Sequence, residues 1–253
     1  DLEKTTLLLF PAGKIKDEYS IPDHVTKIAD FAFTGSKYLA KVSIPDNVTR
    51  IGDCAFAACP SLKMITVSEN NPAYMSDEDG CLYDLKKTTL IQYPAGKEEI
   101  AFSIPDGIEH IGVGAFGYCE SLETVSISES VESVDDSAFE GCSSLKYIII
   151  PNGVTSIGEC TFSFCTNLEY AIIKGSITCI NDQTFCECTS LSKVYIPSEV
   201  TKIGVVAFDE CNALTDVYYG GTQEQWNTIV IEEYNNSLMN SNVHFNHVHS
   251  MET

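Results

Sequence analysis

Residues 43–65 read SIPDNVTRIGDCAFAACPSLKMI, and this stretch decides the fold because its landmarks recur with a 23-residue period. Phe56 is the clearest landmark: a phenylalanine stands one period earlier, at Phe33, and at every step of the period from Phe116 to Phe208. The recurrence defines seven units, at 20–42, 43–65, 103–125, 126–148, 149–171, 172–194 and 195–217. A spacing this constant indicates a repeat protein.

The period also predicts a shape. Each unit contains the spacing Leu-x-x-Val-x-Ile, as in Leu122, Val125 and Ile127, which is typical of a short strand with one buried face. One such strand per turn stacks into a parallel sheet, and the length of the period falls within the range of leucine-rich repeats. We therefore expect a right-handed leucine-rich repeat solenoid, β-rich with little helix, whose parallel sheet lines the concave face.

An insert separates the second unit from the third. Residues 84–97 match residues 1–14 at ten of fourteen positions, so part of the insert is repeated at the start of the chain. Within the insert we expect Cys81–Tyr83 and Thr89–Tyr93 to form a hairpin. Because the first copy starts partway through the pattern, we also expect the native protein to carry further repeats upstream.

We predict two parts in the chain. The solenoid spans 1–217, with units at 20–65 and 103–217, the insert hairpin at 66–102 and a partial insert at 1–19, and a capping module spans 218–253.

The cap has its own signals. Thr222 and Gln225 form a capping-box pattern that predicts a short helix near 223–229, with Trp226 covering the last turn of the solenoid. Val243–Phe245 is predicted to add a closing strand.

The repeated phrases resemble those of a known family. Ile44-Pro45 with Val48-Thr49, followed by Ile51-Gly52, and then Ala55-Phe56 with Cys59, look like BspA-like leucine-rich repeats. The resemblance covers roughly residues 1–220. It implies a protein that is secreted or displayed at the surface of a bacterium, and a role in adhesion to proteins or other cells.

Six of the eleven cysteines form a column, each three positions after a repeated phenylalanine. They are Cys59, Cys119, Cys142, Cys165, Cys188 and Cys211, and Ser36 stands at the same position of the first unit. A position filled by cysteine or serine once per turn favours buried thiols that pack as small apolar groups. Bridges between neighbouring turns and a metal site are the alternatives, although ligands in a line do not surround a metal ion as zinc requires. We expect no metal and no cofactor.

The remaining chemical candidates are weak. His244, His247 and His249 could together bind a metal, but a frayed end of the chain is the favoured interpretation. The acidic run at 77–80 lacks the spacing of a calcium loop and favours a turn. No phosphate loop, nucleophile elbow or other named catalytic motif is present in the sequence, so we expect no enzyme.

The charge balance excludes two classes of partner. Against 36 acidic residues the chain has 15 basic ones, a formal charge of −21. Nucleic acids and anionic membrane surfaces need clustered lysine and arginine, so neither is expected to bind. No apolar run is long enough to cross a bilayer, and no membrane insertion is expected.

The period also places side chains on the exposed face of the predicted sheet, because residues between the buried ones of a strand face outward. In the later units these outward positions hold a contiguous apolar and aromatic patch: Tyr147, Ile149, Tyr170, Ile172, Tyr195 and Tyr218. Such a patch favours a binding site. The alternative is that these residues only support neighbouring strands.

These observations predict a non-enzymatic extracellular module, secreted or at the cell surface, that binds a protein or a glycan through its concave face. We expect a monomer. The alternative is a structural spacer or stalk that displays other domains.

Overall fold

A computed structural model describes residues 5–247 of the 253-residue chain. The first eleven strands are β1 (Thr6–Leu7), β2 (Glu18–Ser20), β3 (Lys27–Ile28), β4 (Lys41–Ile44), β5 (Arg50–Ile51), β6 (Met64–Val67), β7 (Tyr74–Ser76), β8 (Leu82–Asp84), β9 (Thr89–Gln92), β10 (Ala101–Ser103) and β11 (His110–Ile111). The rest are β12 (Thr124–Ser126), β13 (Ser133–Val134), β14 (Tyr147–Ile150), β15 (Ser156–Ile157), β16 (Tyr170–Ile173), β17 (Cys179–Ile180), β18 (Lys193–Ile196), β19 (Lys202–Ile203), β20 (Asp216–Tyr219), β21 (Val230–Ile231) and β22 (Asn242–His244). Two short helices, α1 (Gln223–Trp226) and α2 (Asn236–Met239), lie near the end of the chain.

The longer strands form the predicted parallel sheet, here called the main sheet, with one strand per turn. It has two parts, β2-β4-β6 and β10-β12-β14-β16-β18-β20-β22. Within the repeats, neighbouring strands pair with a shift of one period: Tyr147 pairs with Tyr170, which pairs with Lys193. The predicted parallel β-solenoid with almost no helix is thereby confirmed.

A second set of strands, only two residues long in most units, was not predicted. They form from the Thr-x-Ile part of the repeat, and β11 pairs in parallel with β13, and β13 with β15. Two residues are too few to show alternation in the sequence. These strands hydrogen-bond the far side of each turn to its neighbours and close the core between them and the main sheet.

The core is organised around stacked phenylalanine rings. Phe116 and Phe139 lie 4.7 Å apart between ring centroids at an interplanar angle of 4°. The rings of the neighbouring turns continue the stack, with Phe139 and Phe162 at 5.4 Å. All seven repeated phenylalanines are essentially fully buried. Each ring therefore packs against the rings of adjacent turns, as expected when no unit can bury its apolar face alone.

The insert divides the main sheet into its two parts, and the buried core also falls into two clusters. The predicted hairpin of the insert forms as β8 and β9, and β7 adds a third antiparallel strand that was not predicted. Beyond the hairpin, Tyr93 stacks on Phe116 at 5.4 Å. Phe10 stacks on Phe33 in the same way, also at 5.4 Å. The repeated Pro-Ala-Gly-Lys segments thus follow an aromatic residue that takes the place of the repeated phenylalanine.

The column thiols bond to the turn before them. Cys165 Sγ donates to the carbonyl oxygen of Phe139 at 3.2 Å, and Cys142 Sγ donates to that of Phe116 at 3.1 Å. The same bond recurs at the other column thiols and is long, at 3.9 Å, only where Tyr93 replaces phenylalanine. All eleven cysteines are free thiols. The column is therefore a buried structural feature, and the disulfide alternative is not what forms.

The glycine of the Ile-Gly phrase is required by the closeness of neighbouring turns. A Cβ at Gly158 would collide with the backbone nitrogen and the carboxylate of Asp136 in the turn before. The Asp136 Oδ1 instead accepts a hydrogen bond from the Glu159 amide at 2.7 Å. Asp182 holds the amide of Val205 in the same way, at 2.8 Å. The aspartate of one turn thus occupies the space that a side chain at the glycine of the next turn would fill.

The end of the chain closes the stack. The Thr222–Gln225 capping box is present in full, although α1 ends at Trp226 and is shorter than predicted. The predicted closing strand forms as β22, which pairs in parallel with β20. The frayed-end interpretation is therefore wrong for His244, which lies in β22, because pairing with β20 fixes that backbone. His249 lies outside the described residues.

We expect Ser36→Cys to stabilise the protein by about 1 kcal/mol. The Ser36 hydroxyl is buried and makes no hydrogen bond, whereas a thiol at the equivalent positions donates to a carbonyl and costs less to bury. Urea unfolding of both proteins measures the difference. The matched change Ser176→Cys, at an exposed serine, should leave stability unchanged. A destabilised Ser36→Cys protein would contradict the interpretation.

Gly158→Ala should lower the free energy of unfolding by about 1–3 kcal/mol, because the neighbouring backbone must move to admit a methyl group. Gly13→Ala is the matched control, since a Cβ there meets nothing within 4 Å. Thermal and urea unfolding compare the two. Equal effects at both positions would show that close approach of the turns is not what requires glycine at Gly158.

Candidate binding face

The exposed side of the main sheet carries two columns of side chains set by the repeat register. In the first column each residue pairs with the next one along the sheet, and the order is Thr124, Tyr147, Tyr170, Lys193 and Asp216. In the second, the pairing order is Ile149, Ile172, Tyr195, Tyr218 and His244. The six residues predicted from the sequence therefore lie together on β14, β16, β18 and β20.

These residues are not equally accessible. The four tyrosines and Ile149 are half-buried on this face. Ile172 is only 6% exposed, so the expectation that it lies open to a partner is wrong. It pairs with Tyr195 in the next strand and lies at the floor of a groove. A bulky neighbour covers it, which alternation along one strand does not reveal.

The tyrosine rings stack on one another across the strands. Tyr147 and Tyr170 lie 5.3 Å apart at 4°, and Tyr195 and Tyr218 lie 4.6 Å apart at 11°. His244 continues the second stack against Tyr218 at 4.7 Å and 17°. Within each tyrosine pair, one face of each ring is thus covered by the other ring.

Two histidines from the end of the chain complete this face. His247 packs against both Tyr195 and Tyr218, at 5.3 and 4.8 Å between ring centroids. His244 Nε2 lies 2.7 Å from Asp216 Oδ1. That contact, with a hydrogen bond from Thr215, holds the pKa of Asp216 below its usual range. Neither histidine could be placed on this face from the sequence, because the cap intervenes and β22 does not follow β20 at the repeat spacing.

Grooves run along the face. One of about 420 Å³ is lined by Ile172, Lys174, Tyr195, Glu199, Tyr218 and His247, among others. Another, of about 280 Å³, includes Tyr147 and Ile149. A larger groove of about 580 Å³ at the start of the sheet is lined mainly by small and polar residues such as Ser43 and Thr66. The aromatic character of these grooves is confined to the later turns.

Burial lowers the reactivity of the cysteine thiols, both in the column and at Cys54. Burial raises the pKa of Cys142 to about 12. Cys54, which is partly exposed, has its pKa raised to about 11 by burial and by nearby carboxylates, with Glu140 the largest of these. Because the thiolate is the nucleophile and the metal ligand, these thiols are poorly suited to either task near neutral pH. Within residues 5–247, no three His, Cys, Asp or Glu side chains are placed to hold a metal ion together.

One polar cluster on the second set of strands resembles a catalytic array in composition only. His110 Nδ1 lies 2.9 Å from Ser133 Oγ, and Ser133 donates to Asp135 Oδ1 at 3.2 Å. Because the serine proton is directed at Asp135, His110 does not withdraw it. An activated nucleophile needs the serine bonded to the base and the base oriented by the third group. This arrangement is a surface hydrogen-bond chain.

No helix within residues 5–247 combines the length and the apolar character that a membrane crossing requires.

Comparison with known families identifies the repeats. The model of the BspA type leucine rich repeat region matches residues 12–101 and 98–215, with six copies. The chain belongs to this family. The family and the fold fit a repeat binding or adhesion module. Among curated proteins, none matches this chain.

Several solved structures are similar. A leucine-rich repeat protein from Eubacterium ventriosum is 30% identical with a TM-score of 0.76, covering 79% of this chain and 54% of its own. A leucine rich cell surface protein from Faecalibacterium prausnitzii is 30% identical with a TM-score of 0.66, covering 85% and 62%. The pneumococcal vaccine antigen PcpA, 18% identical with a TM-score of 0.54 and covering 91% and 66%, shares the fold. The chain spans between half and two thirds of the first two proteins.

Stability should fall in alkaline solution because the folded state holds thiols with a raised pKa. Below about pH 8.5, where unfolded thiols keep their protons, these groups leave stability unchanged. From there up to the pKa of about 12 for Cys142, only the unfolded state ionises, and each such thiol lowers the free energy of unfolding as pH rises. Urea unfolding at about pH 7.5 and about pH 10 measures the loss.

Cys142→Ala is the control for this prediction: it should reduce the difference between the two pH values, although the variant is less stable at both. Iodoacetamide at about pH 8 should leave the six column thiols unmodified in the native protein and reach them in denaturant. A column thiol that reacts rapidly in the native protein would contradict the buried assignment.

Proposed function

We propose that this chain is a non-enzymatic binding module that engages a protein partner through the concave face of the main sheet. The observation that carries the proposal is the aromatic patch of Tyr147, Ile149, Tyr170, Tyr195 and Tyr218 on β14, β16, β18 and β20. Half-buried tyrosines are frequent interface anchors, because each supplies a large contact area and a hydroxyl at little cost in conformational entropy.

The stacking geometry favours a protein over a glycan as the partner. A sugar ring packs flat on an open aromatic face, but in each pair here one face of each ring is covered by the other ring. The patch therefore offers less open face than four separate rings would, and it adds ring edges, which carry partial positive charge, and phenol hydroxyls. Edges suit the faces of other aromatic rings, and hydroxyls suit the carbonyl and amide groups of a polypeptide.

The location that fits this function is the cell surface or the medium. A similar structure is described as that of a leucine rich cell surface protein. The excess of acidic residues keeps such a surface well solvated. We further propose that residues 218–253 act as the capping module of a solenoid spanning 1–217, with Trp226 against Tyr219 and Leu238 buried in the core. A cap of this kind shields the apolar end of the stack.

The experiment compares the parent protein with the double variant Tyr170→Ala, Tyr195→Ala. Purified extracellular-matrix and mucus proteins are captured by each and quantified by mass spectrometry. Loss of two anchors should weaken any partner of the patch by about ten-fold or more. Ser43→Ala, Thr66→Ala is the matched control, since these residues hold the repeat position of Tyr195 on β4 and β6.

Circular dichroism checks that each variant is folded. Partners retained by the control and lost from the tyrosine variant support the proposal. Partners that bind all three proteins equally, or no partner at all, would count against the patch and favour a structural spacer. Partners that are glycans free of protein would overturn the choice of a polypeptide.

A further inference from the structure

Two histidines near the end of the chain lie on the exposed side of the main sheet, and the inference drawn from them rests on the proposed function of that face. His244 stacks on Tyr218 as the next member of its column, and His247 lies against Tyr195 and Tyr218 together. His247 also lines the groove of about 420 Å³. Any segment that covers Tyr195 and Tyr218 must therefore also touch or closely approach both histidines.

The charges around this groove are balanced within a strongly acidic molecule. Lys193 on β18 and Lys174 after β16 supply positive charge, while Asp216 on β20 and Glu199 after β18 supply negative charge. The chain as a whole carries −21. Its long-range field therefore draws in positively charged partners, and the neutral patch is where such a partner finds apolar contact without like-charge repulsion.

We propose that His244 and His247 belong to the binding surface, that the segment it takes is a positively charged stretch of polypeptide, and that binding is lost below about pH 6. Histidine is the side chain that gains charge between about pH 8 and pH 5. Burial raises the pKa of Tyr195 above its usual range, so this phenol does not contribute between about pH 8 and pH 5.

The balance of charges around the groove determines whether binding strengthens or weakens as the pH falls. With both histidines neutral, two lysines face Asp216 and Glu199. Protonation of both histidines adds two positive charges here, where His244 lies against Asp216 and His247 lines the groove. A positively charged segment is then repelled at the point of closest contact, while a negatively charged one would be held more tightly.

The extent of the face sets the length of the segment. Five neighbouring strands, β14 to β22, carry the two columns. At about 4.8 Å between strands they span about 19 Å, which an extended chain covers with about six residues. A library of random twelve-residue peptides displayed on phage is therefore a sufficient probe.

The test selects this library on the parent protein at about pH 7.4 and then measures the enriched peptides, made synthetically, by biolayer interferometry. We expect peptides of net positive charge that bind about ten-fold more weakly at about pH 5.5 than at the pH of selection. The double variant His244→Gln, His247→Gln should reduce that ratio to under about two-fold. His24→Gln, at an exposed histidine of the first unit, is the matched control and should keep the full ratio.

The outcomes separate this inference from the proposed function. Peptides that bind the Tyr170→Ala, Tyr195→Ala variant as well as the parent, or a selection that enriches nothing, would overturn the patch itself. Peptides that need the tyrosines but are neutral or acidic, or whose pH ratio is unchanged in the histidine double variant, would overturn only the histidine inference. Circular dichroism at both pH values ensures that unfolding does not produce the loss.

Discussion

Contact between successive turns is the interaction on which the rest of this molecule depends. A single unit has a strand, a two-residue strand and a phenylalanine, and none of these is satisfied without a neighbour. Phe139 has Phe116 on one face and Phe162 on the other. Cys165 donates to the carbonyl of the turn before it, and Asp136 accepts from the amide of the turn after it. Burial, hydrogen bonding and glycine placement are all set across the same boundary between turns.

That boundary fixes the binding face as well as the core. Parallel pairing with a shift of one period leaves no freedom in which side chains line up on the exposed side of the sheet. Once Tyr147 and Tyr170 occupy equivalent positions, their rings must stack, and so must Tyr195 and Tyr218. The stacks hold these side chains against one another, and side chains that are already ordered lose less conformational entropy in any contact they make.

Contacts between turns also explain which features of the fold the sequence could predict. The period was enough for the parallel sheet, the register of both tyrosine columns and the cysteine column, because each depends only on recurrence. It could not reveal the two-residue strands, because two residues are too few to show alternation and only pairing with the neighbouring turn defines these strands. It also missed that Ile172 is covered, because that depends on the bulk of side chains in adjacent turns. That Tyr93 replaces a repeated phenylalanine was within reach of the period, since Tyr93 stands one 23-residue step before Phe116.

The closing strand shows why the end of such a stack is a natural place for a binding surface to differ from its middle. β22 pairs with β20 and becomes the last strand of the main sheet. The 23-residue pattern does not determine which side chains of β22 face outward, because the segment between β20 and β22 is longer than one period. His244 and His247 enter the aromatic face by this route. The end of the solenoid and the candidate binding face therefore meet in the same strand: the residues that end the stack also bring histidine onto a face that the repeat itself fills with tyrosine.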